Sequence, residues 1–170
     1  MLDAPQYVAP AMGTNELKRQ ELALAENKKP SVFKLRAQML EQGRTDTMLA
    51  ATDDLSLRIK VYASGGENTL HTHTTEDHAF VILQGSARFY GPDGEIMELG
   101  ANEGIMMPRG NFYRFNATSE EPLVLLRIGS PNYKRQKKPY RINVHGEEMR
   151  GDAKENKTVP AIFKEGEFYG

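Results

Sequence analysis

The chain has 170 residues, enough for one domain with a substantial core, and its 22 basic against 23 acidic residues leave a net charge of −1. That balance excludes a global pull toward nucleic acid or an anionic membrane. There is no cysteine, which excludes disulfides, thiolate metal sites and a cysteine nucleophile; any metal must be held by imidazole, carboxylate, phenol or backbone oxygen.

In chain order, residues 1–13 carry two prolines and a glycine with little pattern and read as an extended arm. No run approaches the length of a membrane span, and the opening MLDAPQYVAPAMG lacks a charged-then-apolar signal pattern, so a cytoplasmic protein with no membrane partner is expected. The stretch TNELKRQELALAENKK, 14–29, predicts a helix capped by Thr14 or Asn15 and stopped by Pro30. Its apolar stripe is thin, Leu17 and Leu24 with some alanines, so it should lie on a surface. Residues 1–30 form this N-terminal arm and helix.

From 31 to 130 short apolar, β-branched and aromatic runs alternate with Gly, Asn, Asp and Pro. Strands are predicted at 32–39, 46–51, 55–63, 69–73, 78–83, 86–90, 95–99, 104–107, 112–117 and 122–129. GPDG, 91–94, between ARFY and EIMEL, reads as a hairpin turn. Many short strands with close turn signals point to an all-β sandwich or barrel. Met97, Met106 and Met107 read as packing inside it.

Residues 131–170 form a C-terminal extension. NYKRQKKPYR holds Lys134, Arg135, Lys137, Lys138 and Arg141. The run is short and has no aromatics spaced to stack bases, so it reads as a solvated tail or a strap on a neighbouring subunit, and no nucleic-acid partner is expected. VPAIFKEGEFYG has apolar residues enough to dock, and arms at both ends suggest exchange between subunits of a homodimer.

The chemistry concentrates in HTHTTEDHAFVILQG, 71–85, which holds three of the four histidines. On a strand His71 and His73 point the same way, about 7 Å apart. The loop TTED then leads to a strand beginning at His78, whose face continues through Phe80 and Ile82. Three imidazoles on a common face at the end of an apolar cavity suit a divalent first-row ion. His145 stands alone in the polar extension and reads as an ordinary surface residue.

These residues resemble the cupin superfamily. Its first motif is a glycine, five residues, H-x-H, three or four residues, a glutamate, six residues and a glycine. Here Gly65, His71-Thr72-His73, His78 and Gly85 fit each spacing, with His78 at the glutamate position. The second motif is matched as a framework by ANEGIMMPRGNFYRFNA. Pro108 and Gly110 are present, Tyr113 stands at the histidine position and Ala117 at the asparagine position, with Asn116 one residue early. Asn102 takes the place of the leading glycine, between Gly100 and Gly104. The resemblance covers about residues 50–130. It implies a single jelly-roll β-barrel over 31–130 with metal ligands at His71, His73 and His78, and with Tyr113 at the fourth ligand position.

Three neutral imidazoles would leave a divalent ion its full charge and favour an anionic or enolisable small-molecule substrate. Tyr113 is then a phenolate ligand, a proton donor or acceptor beside the metal, or an aromatic filler of the barrel mouth. Arg58, Arg88 and Arg127 are candidates to pair with a substrate carboxylate, and Phe80 to line the cavity. Strand parity is not fixed by the sequence, and a solvent-facing arginine is the plainer reading for each singly. Arg109 reads as exposed, and Glu76 and Asp77 as solvated loop residues or hydrogen-bond partners of an imidazole. The function expected is a metal-dependent enzyme, an oxidoreductase of the dioxygenase type with Fe(II) favoured and Zn, Ni, Mn or Cu also suited. The alternatives are a lyase or isomerase, or a non-catalytic small-molecule-binding cupin.

Overall fold

A computed structural model describes residues 7–63, 68–94, 96–130, 139–156 and 158–170. Gly65 of the first motif and Lys134, Arg135, Lys137 and Lys138 of the basic run lie outside the described residues. The elements are α1 (Thr14–Ala25), β1 (Ala37–Gln42), β2 (Arg44–Ala51), β3 (Ser56–Tyr62), β4 (His71–His73), β5 (His78–Gln84), β6 (Ala87–Tyr90), β7 (Ile96–Leu99), β8 (Gly104–Met107), β9 (Arg114–Ala117), β10 (Leu123–Gly129), β11 (Arg141–Asn143) and β12 (Ile162–Tyr169). A single 3-10 turn covers Lys154–Asn156.

All pairings are antiparallel. One sheet has the order β2-β3-β10-β5-β8 and a second the order β7-β6-β9, with two-stranded ribbons β11-β4 and β1-β12. The expected all-β cupin-like architecture with an N-terminal helix is present as these facing sheets. Side-chain alternation divides the core in two. Tyr62, Phe80, Ile82, Leu123 and Leu125 of the large sheet meet Ala87, Phe89, Leu99 and Phe115 of the small one. The opposite face of the large sheet offers Ile59, Val61 and Val124 to Ala37, Met39 and Leu40 of β1. Strands buried on both faces read as near-continuous apolar runs, as LVLLRIG of β10 does.

The turns follow the sequence. β6 and β7 pair across GPDG, with Gly94 at φ 77°. Gly85, at φ 76°, makes the corner between β5 and β6, where a side chain would be strained and crowded against Ser119.

Several expectations are corrected. The stretch 32–36 is not strand, because the first strand starts at Ala37. The helix ends at Ala25 rather than 29, and Gly13, not Thr14 or Asn15, is its N-cap. Its buried residues are Glu21 and Ala25, so the face against the sheet is built around an acid. Glu21 reaches Arg58 on β3 at 2.9 Å. Met97 and Met106 face outward, more than half exposed, while Met107 alone of the three packs against the core. The C-terminal segment forms β12, which pairs with β1 of the same chain.

Leu40 has no exposed surface and sits between the β1-β12 ribbon and the large sheet. Leu40→Ala should cost about 2–5 kcal/mol through lost burial and a residual cavity. A urea midpoint unchanged from wild type would contradict that packing.

Candidate metal centre

HAFVILQ of β5 alternates inward and outward residues, which turns His78 inward with Phe80 and Ile82, while HTH of β4 is buried on both faces at Thr72 and His71. β4 is held on one side by β11, with Arg141 opposite His73, and on the other by an isolated bridge between His71 and Tyr113. That bridge is reciprocal, His71 N–H to Tyr113 O at 3.1 Å and Tyr113 N–H to His71 O at 2.9 Å. Opposed residues of an antiparallel pair project to the same side, so the Tyr113 ring stacks obliquely on His71, 4.6 Å between centroids. In the large sheet Arg58 of β3, Arg127 of β10 and Phe80 of β5 form one cross-strand row. With Lys60 these residues line a cavity of about 380 Å³.

The tight cluster of donor atoms is His73, Glu76 and His78, all within 4.8 Å of one another. This corrects the three-histidine centre: the set is two imidazoles and one carboxylate. Glu76 Oε2 lies 3.2 Å from His78 Nε2 and 3.7 Å from His73 Nδ1. Glu76 is buried, not solvated, and its other oxygen accepts from Arg127 Nη2 at 2.8 Å. Gly129 makes the room. A Cβ there would overlap Glu76 Oε1 and stand 2.7 Å from Arg127 Nη1.

His71 is close, its ring 5.4 Å from that of His73, but it is not one of the converging three. Its Nδ1 is 2.6 Å from the Thr69 carbonyl, which can only accept, so the proton sits on Nδ1 and Nε2 is left as an acceptor.

The protonation of His78 follows from its neighbours. Arg127 Nη2, always a donor, lies 2.6 Å from His78 Nε2, so Nε2 must accept. The ring proton is then on Nδ1 and donates to Tyr113 Oη at 3.3 Å. Nε2 and the Glu76 carboxylate thus face each other with lone pairs at 3.2 Å, an arrangement that only a cation between them makes favourable. Arg127 supplies one such charge. Two imidazoles and a carboxylate are equally a donor set for a divalent first-row ion, so these residues fit a metal.

Electrostatics agree. Burial pushes His71 and His73 well below the ordinary imidazole value, with Arg141 adding to the effect at the first and His78 at the second. Burial and the Arg127 charge bring His78 down to about 4, against the pull of Glu76. Burial alone would raise the Glu76 carboxyl, but the Arg127 charge outweighs it and holds the group ionised. Burial raises Tyr113 above its ordinary value, so it stands as a neutral phenol.

Of the other candidates, Arg58 and Arg127 face the cavity, paired to Glu21 and Glu76, and Phe80 forms its floor. Arg88 lies on the exposed face of the small sheet against Glu98, 3.0 Å from Nε, and does not line the cavity. Arg109 is exposed and paired with Asp77 at 2.6 Å. Sequence reasoning missed Glu76 as a donor, because only two residues separate it from His73 and the motif spacing lands on His78 instead. Arg141 was read as part of a basic run. The extension puts it on β11 beside His73.

Residues 58–129 match the cupin domain family. No curated protein matches the chain. Among solved structures, a protein with a double-stranded β-helix domain from Klebsiella pneumoniae aligns over 62% of this chain and 93% of its own, at 15% identity and TM-score 0.54. The polyketide cyclase RemF from Streptomyces resistomycificus aligns over 61% and 75%, at 25% identity and TM-score 0.50. The cupin domain of Schizosaccharomyces pombe Cnp3 aligns over 54% and 66%, at 18% identity and TM-score 0.48. The segment 58–129 is thus cupin-like, and its His73, Glu76 and His78 form a cluster able to coordinate a divalent metal. Among the described residues no helix is long and apolar enough to cross a membrane.

Two predictions follow from this geometry. Gly129→Ala should displace the Glu76 carboxylate and weaken metal affinity by about 10–100-fold while the chain still folds, as read by metal titration and circular dichroism. The second concerns acid stability. Three histidines held neutral when folded take up protons on unfolding below about pH 6.5, so stability is lost as pH falls through that value, up to about 1.4 kcal/mol per pH unit for each. The depressed Glu76 carboxyl adds loss below its unfolded value near 4.5. Urea midpoints measured in chelator should drop between pH 7 and 5; a flat profile would refute the buried neutral imidazoles.

Proposed function

We propose that this protein is a metal-dependent enzyme that performs acid–base chemistry on a small anionic, enolisable substrate, in the manner of a lyase, isomerase or cyclase. The observation that carries the reading is a buried tyrosine hydroxyl, Tyr113, in the same cavity as the His73–Glu76–His78 donor set and tied to it through His78 Nδ1. A divalent ion held by that set would act as a Lewis acid on a substrate oxygen. The likeness to a polyketide cyclase supports the same class of chemistry.

Each residue has a task in this reading. His78 Nδ1–H holds Tyr113 Oη and leaves its hydroxyl proton to be donated toward the substrate. The high intrinsic affinity of the phenol for that proton keeps it available at neutral pH. Arg127 fixes Glu76 Oε1, so Oε2 stays turned toward the two imidazoles. His71 Nε2 is an acceptor beside the phenol, suited to receive a proton from the substrate side. Phe80 and Tyr62 close the apolar end and exclude water.

A second reading, oxygen-dependent chemistry on Fe(II), is favoured by the donor set itself, since two histidines and one carboxylate with open positions are the ligands of many non-haem iron oxygenases. The two separate in one experiment. Protein purified without an affinity tag is assayed for metal by elemental analysis, then incubated with small keto and hydroxy acids in deuterium oxide while oxygen is monitored. Solvent deuterium entering the substrate without oxygen consumption supports the acid–base reading; stoichiometric oxygen uptake overturns it in favour of the dioxygenase. His78→Ala should lose the metal. Tyr113→Phe should keep it and lose about 100-fold or more in kcat. A wild-type chain that takes up no divalent metal would leave a ligand-binding cupin without catalysis.

A further inference from the structure

The cavity is not built by the sheets alone. Leu17, Lys18 and Glu21 of α1 and Tyr140, Arg141 and Met149 of the extension also line it, beside His71, His73 and Tyr113. Among the described residues of the extension, Arg141 is set by β11 opposite His73, and it is among the charges acting on both His71 and His73.

The arginines lining this cavity differ in what they face. Arg44 donates to Gly151 O and Thr158 Oγ1, whereas Arg58 meets Glu21, Arg127 meets Glu76 and Arg150 meets Asp152. Lys60 likewise meets Asp46 at 3.0 Å. Arg141 meets no carboxylate among the described residues. Its Nη1 donates to the carbonyls of Arg150 at 2.8 Å and Met149 at 3.3 Å, and its Nη2 to Asn156 Oδ1 at 3.2 Å. These are neutral acceptors, and they use three of the five N–H donors of a guanidinium. The two that remain are Nε–H and one Nη2–H, donors of neighbouring nitrogens of the kind that pair with a carboxylate. The three bonds already made hold the guanidinium, so little side-chain freedom would be lost on binding. A half-buried guanidinium with no carboxylate partner among the described residues and two donors unused is suited to receive an anion.

We propose that Arg141 is the anion receptor of the cavity, a specificity-determining residue that pairs through Nε and Nη2 with the carboxylate of a small carboxylic-acid substrate. This deepens the enzymatic reading above, and rests on it for the word substrate, but not for the binding itself. The receptor lies on the C-terminal extension, beyond residues 58–129 that match the cupin domain. The carboxylate would be seated beside His73 and Tyr113, with the carbon next to it directed at the donor cluster.

The test is binding of propionate and propionamide to chelator-treated protein, followed by titration of the histidine Cε1–H resonances. Wild type should bind propionate saturably and propionamide at least tenfold more weakly. Arg141→Met should lose at least tenfold in propionate affinity, about 1.4 kcal/mol, with an unchanged propionamide response. Arg141→Lys keeps the charge without the fork and serves if the Met variant does not fold; it should bind propionate more weakly than wild type. Equal propionate affinity in wild type and either folded variant, or no saturable binding to wild type, would overturn the proposal. Because the metal is removed throughout, a chain that binds propionate through Arg141 yet takes up no divalent metal would sink the enzymatic reading and leave the receptor standing.

Discussion

The site depends on one buried ion pair. Glu76 and Arg127 are each almost fully removed from water, and neither charge would be tolerated there alone. Arg127 belongs to the central strand of the large sheet, so its guanidinium is placed by the same ladder that places Phe80 and His78. Glu76 belongs to a loop, and nothing but Arg127 and the space above Gly129 obliges its carboxylate to turn inward. The pair therefore converts a rigid strand position into the position of a loop side chain. Once Glu76 is fixed, its second oxygen faces His78 Nε2 and His73 Nδ1, a donor set able to take a divalent cation. Pairs that are broken on one side leave a buried charge, which is why this arrangement is costly to alter by halves and is retained or lost as a unit.

Much of this was legible in the sequence, and the reasons for the rest are physical. Alternation in HAFVILQ puts His78 on the face of Phe80 and Ile82, because a period of two leaves little choice once those two are inside. The same rule could not assign Arg58 and Arg127, since β3 and β10 are buried on both faces and show no clean alternation. Both turned inward, whereas Arg88, on a sheet with one face in solvent, turned out. Met97 and Met106 were misplaced for a related reason: an unbranched apolar side chain on a short strand carries no signal for which face it takes. Glu76 was missed because spacing counts residues along the chain, while a loop of four can aim any of its side chains at the two imidazoles. What could have found it is charge bookkeeping. An inward Arg127 needs a carboxylate, and Glu76 and Asp77 are those next to the histidines in sequence.

Both terminal segments were read as arms, and the fold uses them as walls. The β1-β12 ribbon covers the outer face of the large sheet, which would otherwise expose Ile59, Val61 and Val124 to water. On the inner side, α1 lies against β2 with an acid on its buried face. A helix so poor in apolar residues has little to gain from burial alone. Its attachment is electrostatic as well, through the ion pair of Glu21 and Arg58. Arg44 of β2 reaches the extension at Gly151 O and at Thr158 Oγ1, 2.5 and 2.9 Å away. Helix, sheet and extension are thus joined around one cavity by ion pairs and side-chain bonds to backbone oxygen.

That pattern bears on where the cavity could take an anion. Arg58, Lys60 and Arg127 are engaged with the acids Glu21, Asp46 and Glu76 inside the fold, and displacing such a partner costs its desolvated pairing energy. Arg150 pairs with Asp152 at the exposed rim. Arg44 and Arg141 hold backbone, hydroxyl and amide oxygens instead, and of these two Arg141 stands opposite His73. Under the proposal above, a small acid seated on Arg141 would lie next to the imidazole of His73, and the rest of a short substrate would be turned toward the donor cluster and the Tyr113 hydroxyl.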